Sequence, residues 1–380
     1  MDYVKLALEL HAKNRGKISM NSKVPVSSDL DLSTAYTPGV AGVCLEIAKD
    51  PALANKYTNR SNMVAVVSDG SAVLGLGDIG PAAAMPVMEG KAILFRELAG
   101  IDAWPLCISS TGPDEIISFV KNLTPSFGGV LLEDISAPKC FQIEADLQDL
   151  GIPVFHDDQH GTAIVVLAAL LNSSKLVGKK LSECKVVFSG AGASAIGTAE
   201  LLIEFGVEDI ILVDTKGAIV TGRNNLTPVK EQIASKTNKL KLEGSIFDVI
   251  KNADIFVGLS TSNLLSSGNI QSMANDPVVL ALANPDPEIL PEDAFIGGAS
   301  IVGTGRSDLP NQINNVLAFP GVFRGALDIG ASKITSEMKI SAALALSDLV
   351  TEISKDKIIP HSLDPRVVPA IARAVSDSWH

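Results

Sequence analysis

The sequence predicts an α/β protein of two domains, an N-terminal α/β domain followed by a C-terminal doubly wound parallel sheet. Three observations predict it. At 380 residues the chain fills two domains of ordinary size. With 46% apolar and 19% charged residues it has the composition of a globular protein, and its scarce aromatics leave the core to small and β-branched side chains. Short apolar runs alternate with helical patterns along most of its length, the β-α-β rhythm of a largely parallel sheet.

The elements follow in order. About the first thirty residues read as one amphipathic helix and a polar arm, "NSKVPVSSDLDLS". "MVAVVS" (63–68) is a strand, "AAAMPVMEGKAILFREL" a helix, "WPLCISS" a strand and "PDEIISFVKNL" a helix with Pro in its first turn. "GVLLED" is a strand, "PKCFQIEADLQDL" a helix, "IPVFHDD" a strand and "GTAIVVLAALLNSSKLVG" a helix. A second series begins with the strand and turn "KVVFSGAG", the helix "SAIGTAELLIEF" and the strand "DIILVD". The strands "DIFVGL", "PVVLALAN" and "SIVGTG" come next, and the helix "ITSEMKISAALALSDLV" closes the chain. No repeat or low-complexity linker marks a boundary, which we set near 160, giving domains 1–160 and 161–380.

Composition excludes some functions. A net charge of −12 without a basic run argues against nucleic-acid binding, which needs clustered Lys and Arg. The four cysteines (Cys44, Cys107, Cys140, Cys184) are dispersed and read as buried thiols, not a zinc knuckle or a disulfide framework. The opening "MDYVKLALELHAK" does not read as a signal peptide, and the longest apolar run, "AIVVLAALL", is far below the ~18 residues that span a bilayer. A cytoplasmic protein with no membrane partner is the expectation.

Two glycine clusters compete for a dinucleotide. A true fingerprint follows a strand, opens a helix, and has an acid roughly 20 residues on at the end of the next strand. "GLGDIG", residues 75–80, matches by letter but is followed at once by Pro81, carries Asp78 where phosphates would lie, and has its distant acid, Glu97, inside a helical pattern. "GAGASAIG" passes each criterion. Gly190, Ala191, Gly192, Ala193, Ser194, Ala195, Ile196 and Gly197 follow the strand "KVVF" and open a helix, and Asp214 ends the next strand, placed for the ribose hydroxyls.

Acids gather at two strand ends, Glu133 and Asp134 after "GVLL" and Asp157 and Asp158 after "IPVFH". Neighbouring carboxylates repel unless a proton or cation lies between them, and an all-oxygen set suits Mg²⁺ or Mn²⁺. The other reading makes Asp157 or Asp158 the cap of a helix starting near His160. His156 and His160 read as hydrogen-bond partners of the acids, not as ligands. Lys91, flanked by apolar residues, either extends to the surface or is buried beside the acids, where a depressed pKa would suit it as a base. Tyr36 by itself reads as a core or turn residue.

"AYTPGVA", "VVSDGSAVLGLGDIG", "MEGKAILF", "LLEDI", "FHDDQHGTA", "GAGASAIG", "ALANPDPE" and "NNVLAFPG" together resemble the malic enzymes, in order and spacing, from about residue 15 to the end. The likeness is to the short bacterial type. It implies an N-terminal substrate and metal domain, a C-terminal Rossmann-type domain, and oxidative decarboxylation of (S)-malate to pyruvate and CO₂ with NAD or NADP and Mg²⁺ or Mn²⁺. It further implies Tyr36 and Lys91 as catalytic residues, Glu133, Asp134 and Asp158 as metal ligands, and residues 190–197 with Asp214 and Asn284 at the dinucleotide. Lys91, Asn284 and Asn315, with Asn314 beside it, fall at the substrate, and "GLGDIG" falls on a loop of the substrate domain. One departure stands out: larger members carry an Arg that grips malate where this chain has Ala72.

Under this resemblance Lys91 assists loss of the C2 hydroxyl proton and Tyr36 protonates C3 of the enol. A metal-free amino-acid or hydroxyacid dehydrogenase would leave the acid cluster unexplained, and a nucleotide sensor without chemistry would have lost some of these five side chains. Asp214 favours NAD, although Lys216 and Arg223 lie close enough in sequence to meet a 2′-phosphate. A homodimer or larger assembly is implied by analogy.

Overall fold

The computed structural model describes residues 2–73, 75–109 and 112–380; Leu74 of the "VLGLGDIG" run and Ser110 of the strand read at 104–110 lie outside them. Four parallel strands, β1 (Met63–Ser68), β2 (Asp102–Cys107), β3 (Gly129–Leu132) and β4 (Val154–His156), form a first sheet in the order β2-β1-β3-β4. A second sheet has the order β10-β9-β8-β5-β6-β7. It contains β5 (Lys185–Ser189), β6 (Asp209–Asp214), β7 (Gly217–Ala218), β8 (Ile255–Gly258), β9 (Val278–Ala281) and β10 (Ile301–Thr304). Only the two-residue β7 runs antiparallel. The predicted class, α/β with a doubly wound parallel sheet, is the class observed.

Each sheet reverses its strand order once, between β1 and β3 in the first and between β5 and β8 in the second. At such a point the connections leave to opposite sides, and a crevice opens outside the carboxyl ends of the strands. Glu133 and Asp134 leave β3 at the first crevice, and Gly190 leaves β5 at the second. Gly190 needs its missing side chain: at φ 112° a Cβ would meet the Leu259 carbonyl oxygen at 2.5 Å. Glu288, fully buried, ties the same crevice from below by accepting from the Ser260 and Ala283 amides at 3.0 and 3.1 Å.

The two sheets share one core. In the helix Thr162–Leu176 every residue from 163 to 174 is buried, as its all-round apolar pattern demands. Its cluster runs from Val64, Met88 and Phe95 to Leu317, Phe319, Phe323 and Val375. Phe95 meets Phe319 and Phe323 edge-on, with centroids 4.9 and 5.4 Å apart.

Several readings need correction. Part of the polar arm is helical, Asp29–Ala35, because Ser28 and Asp31 form a reciprocal capping box. The helix read from 138 to 150 ends at Ala145, and the chain closes with Val367–Asp377, not with the helix Ser336–Asp348. "GLGDIG" does open a helix, Gly80–Ala99, since Pro81 in a first turn has no amide to lose. Pro81 was therefore no reason to reject it. Its glycines serve a loop instead, with Gly75, Gly77 and Gly80 all at positive φ. Of the cysteines, Cys140 and Cys184 are buried, Cys107 is half-buried and Cys44 is exposed. No described helix is long and apolar enough to cross a membrane.

The helix Ala193–Phe205 rests directly on the segment that follows β4. A Cβ on Gly197 would meet the Gln159 carbonyl oxygen at 2.8 Å and its Cα at 3.0 Å. Gly197→Ala is expected to destabilise the fold by about 1–3 kcal/mol, the range for overpacking against atoms that cannot turn aside. Gly192→Ala, where a Cβ meets nothing within 4 Å, should leave stability unchanged. Equal midpoints in thermal unfolding of the two variants would show that the helix can back away freely.

Candidate active site

Parallel pairing of Leu132 with His156 sets the ends of β3 and β4 side by side, so the acids after each strand converge. One carboxylate oxygen from each of Glu133, Asp134 and Asp158 lies within 4.8 Å of the others. Asp158 Oδ2 also accepts the Asp134 amide at 3.2 Å. Glu133 is 3% exposed and its Oε2 is buried with no hydrogen-bond partner. Burial pushes the Glu133 pKa well up; Lys91 pulls it back, and the neighbouring acids push it up again. Three clustered carboxylates, one with a buried oxygen left over, fit a hard divalent cation.

Lys91 reaches the same place from the helix Gly80–Ala99. Its Nζ lies 2.5 Å from Asp157 Oδ2 and 2.9 Å from Glu133 Oε1, and 4.8 Å from the Phe319 ring centroid. The lysine is buried and does not extend to the surface. Its expected depressed pKa is not found: burial would lower it, but Asp157 and Glu133 outweigh burial and hold it above the ordinary lysine range. Burial meanwhile pushes Asp157 up against the pull of Lys91. Neither Asp157 nor Asp158 caps the helix that starts at Thr162, whose N-cap is Gly161 without a side-chain bond. Instead they stand on a π-helical turn, Asp157–Gly161. Gly161 makes room for it, since a Cβ there would meet Asp157 Oδ1 at 1.9 Å.

Behind this turn lies a residue that the sequence did not single out. Glu144, 7% exposed, accepts from the His156 amide at 3.1 Å, from Gln159 Nε2 at 2.9 Å and from His160 Nε2 at 2.8 Å. Lys339 Nζ stands 3.1 Å from His160 Nδ1, which fixes a neutral imidazole that donates to Glu144 and accepts from Lys339. Burial lowers the His160 pKa, in keeping with that form. Burial pushes Glu144 up, but His160, Lys339 and His156 together hold it below the usual carboxylate range. One carboxylate thus pins three points of the turn carrying Asp157 and Asp158. In sequence Glu144 is one acid in a helical pattern rich in them, with nothing to mark it.

The glycine turn after β5 lies across Gly197 from this centre. No side chain caps the helix Ala193–Phe205, so its first amides, from Ala193 onward, face the crevice beside Gly190, Ala191 and Gly192. Asp214 ends β6 as predicted, but Arg223 and Lys230 hold its carboxylate at 2.6 and 2.7 Å. Asn315 packs on the acid-bearing turn, 3.1 Å from the Cβ that Gly161 lacks, while Asn314 caps its own short turn. Asn284 meets the glycine loop: a Cβ on Gly75 would lie 3.1 Å from its carbonyl oxygen. Tyr36 is not brought in. Its side chain is 66% exposed and makes no side-chain hydrogen bond or ring contact among the described residues.

Comparison with known proteins agrees with this geometry. The malic enzyme N-terminal domain matches residues 15–112 and the malic enzyme NAD-binding domain residues 159–377. The chain is 55% identical over 374 residues to the bifunctional malic/malolactic enzyme of Bacillus subtilis, covering 97% of this chain and 91% of the relative. It is 53% identical over 368 residues to the NAD-dependent malic enzyme of Geobacillus stearothermophilus, covering 96% and 76%. The crystal structure of the NAD-dependent malic enzyme of Thermotoga maritima superposes with a TM-score of 0.95 at 48% identity, covering 98% and 99%. Other matching relatives are NADP-dependent malic enzymes.

Glu144→Ala should weaken Mn²⁺ binding to the apoprotein by roughly 10- to 100-fold, the range for groups that orient metal ligands from behind. Glu144→Gln, which keeps the acceptor for the His156 amide, should lose less. Free Mn²⁺ measured by electron paramagnetic resonance during titration checks this; undiminished affinity in Glu144→Ala would remove Glu144 from the organisation of the site.

Proposed function

This chain belongs to the malic enzyme family, and on that premise we propose which of its residues carry the oxidative decarboxylation of malate to pyruvate and CO₂. NAD or NADP and a divalent cation are its cofactors. The observation that carries the assignment is the buried Lys91, held between Asp157 and Glu133 at the rim of the three-carboxylate cluster. Residues 1–160 form the substrate and metal domain and residues 161–380 the dinucleotide domain, in one continuous core.

Glu133, Asp134 and Asp158 would hold Mg²⁺ or Mn²⁺, which would supply a Lewis acid, and residues 190–197 would hold the dinucleotide that would take up the hydride. Glu133 would serve both the cation and Lys91, which leaves Asp157 as the acceptor for the lysine alone. As hydride leaves C2, Lys91 takes the hydroxyl proton and passes its own to Asp157, whose burial favours the protonated form. The basic unit is therefore the Lys91–Asp157 pair, not a lone lysine of depressed pKa. Asn284 and Asn315 orient malate from the other domain. After CO₂ has left, Tyr36 delivers the proton to C3 of the enol.

The position of Tyr36 needs a second copy. Residues 2–63 contain no buried residue, although they carry 15 of the 26 exposed large apolar side chains among the described residues. An apolar surface of that extent is ordinarily covered. We assign its cover to a second copy of the chain, a homodimer in which the Tyr36 phenol of one protomer enters the Lys91 site of the other. The dimer is cytoplasmic.

Excess EDTA should abolish turnover, and Mn²⁺ or Mg²⁺ should restore it. Asp158→Ala should lose metal-dependent turnover while still binding the dinucleotide; full activity in EDTA would sink the metal assignment.

Tyr36→Phe and Lys91→Ala should each reduce malate turnover by roughly 10²- to 10⁴-fold, the range for a general acid or base. Mixed and reassociated, the two inactive proteins should regain activity at about a quarter of the sites, because half the dimers are mixed and each has one complete site. No regain in dimers shown to have exchanged would place Tyr36 in the site of its own chain.

A further inference from the structure

Asp214 stands where the ribose-reading acid of a dinucleotide fold stands, yet its carboxylate is already in use. Oδ1 accepts from the Lys216 amide at 2.9 Å and from Arg223 Nη1 at 2.9 Å. Oδ2 accepts from Arg223 Nη2 at 2.6 Å and from Lys230 Nζ at 2.7 Å. A carboxylate offers about four lone-pair positions, so the ribose hydroxyls of NAD find no acceptor here unless an ion pair opens. The three side chains are only 11 to 23% exposed, which makes these pairs costlier to break than surface ones.

Donors, by contrast, remain. The Lys230 ammonium has three N–H groups and uses one on Asp214, and Arg223 Nε is buried without a partner. Two cations against one acid leave a net positive charge, and the exposed side chain of Lys216 adds another cation two residues beyond Asp214. Arg223 is anchored as well by the Gly217 and Ala218 carbonyls at 2.8 and 3.1 Å, so the guanidinium is held in place before any ligand arrives.

We infer that Arg223 and Lys230 form a phosphate site for the 2′-phosphate of NADP, and that Asp214 serves to hold these two cations. The chain therefore prefers NADP. A phosphate dianion brings the acceptors that the spare N–H groups lack, and Asp214, neutralised by its own partners, no longer repels it. A carboxylate at this position reads as a mark of NAD only while it is free; occupied by two cations, it marks the opposite. The inference rests on residues 190–197 being the dinucleotide turn.

The test measures kcat/KM for NADP and for NAD with malate and Mn²⁺, together with fluorescence titration of NADPH and NADH, in the parent, Lys230→Gln and Arg223→Gln. The parent should favour NADP, and each substitution should lower the NADP-to-NAD ratio roughly 10- to 100-fold, as the loss of one charge-assisted hydrogen bond implies. Lys230→Gln guards against loss of the Arg223 anchor, since the Lys230 side chain makes no other hydrogen bond among the described residues. NADH binding tightly while NADPH does not, or an unchanged ratio in both variants, overturns the inference and leaves the glycine turn standing. If neither dinucleotide binds the parent, the glycine turn itself is wrong and the inference falls with it.

Discussion

Four carboxylates and one ammonium meet where two strands end, and the rest of the structure is arranged around that concentration of charge. Glu133, Asp134 and Asp157 are buried and Asp158 partly so, and the Lys91 ammonium pairs with two of the four, Glu133 and Asp157. Charges removed from water cost several kcal/mol each unless compensated. Such a concentration of buried carboxylates suits a hard cation. It also explains why Lys91 is held protonated: Asp157 and Glu133 both lie within 3 Å of its ammonium.

Such a cluster forms only if the backbone enforces it. The adjacency of β3 and β4 brings the acids together, and Glu144 fixes the turn that presents the second pair. Gly161 and Gly197 are then required by contact rather than by turn geometry: one lets Asp157 fold over the turn, the other lets the nucleotide helix rest on Gln159. The glycine-turn helix Ala193–Phe205 and the acid-bearing turn after β4 are therefore positioned by one packed contact, Gly197 on Gln159, within a shared core.

Much of this was legible in the sequence, and the remainder was not for identifiable reasons. The strands 63–68 and 209–214 were read to the residue because buried parallel strands are continuous apolar runs bounded by turn residues. The convergence of Glu133, Asp134 and Asp158 was legible because acids at the ends of neighbouring parallel strands come side by side. The Lys91 pKa was misjudged because its direction depends on which acid lies within 3 Å, a matter of register and not of pattern. Asp214 was placed correctly, yet its two ion partners sit 9 and 16 residues downstream, beyond any local rule. Tyr36 marks the last limit: it lies on an arm with nothing buried against its own chain, and a single sequence carries no second surface to pair it with.

Ala72 brings no side-chain charge to its loop, which other residues hold in place. The loop after β1 is fastened to the acid cluster by its backbone, with the Ala72 amide donating to the Asp134 carbonyl at 3.0 Å and the Ser136 amide donating to Ser71 Oγ at 2.9 Å. Ser71 in turn donates to Asp69 at 2.6 Å, and the buried Asp69 carboxylate pairs with the Lys139 ammonium. Lys139 opens the helix Lys139–Ala145, which ends one residue beyond Glu144. Through Lys139 and Glu144 a single seven-residue helix thus touches both the loop that carries Ala72 and the turn that carries Asp157 and Asp158, so a displacement of that helix alters both together.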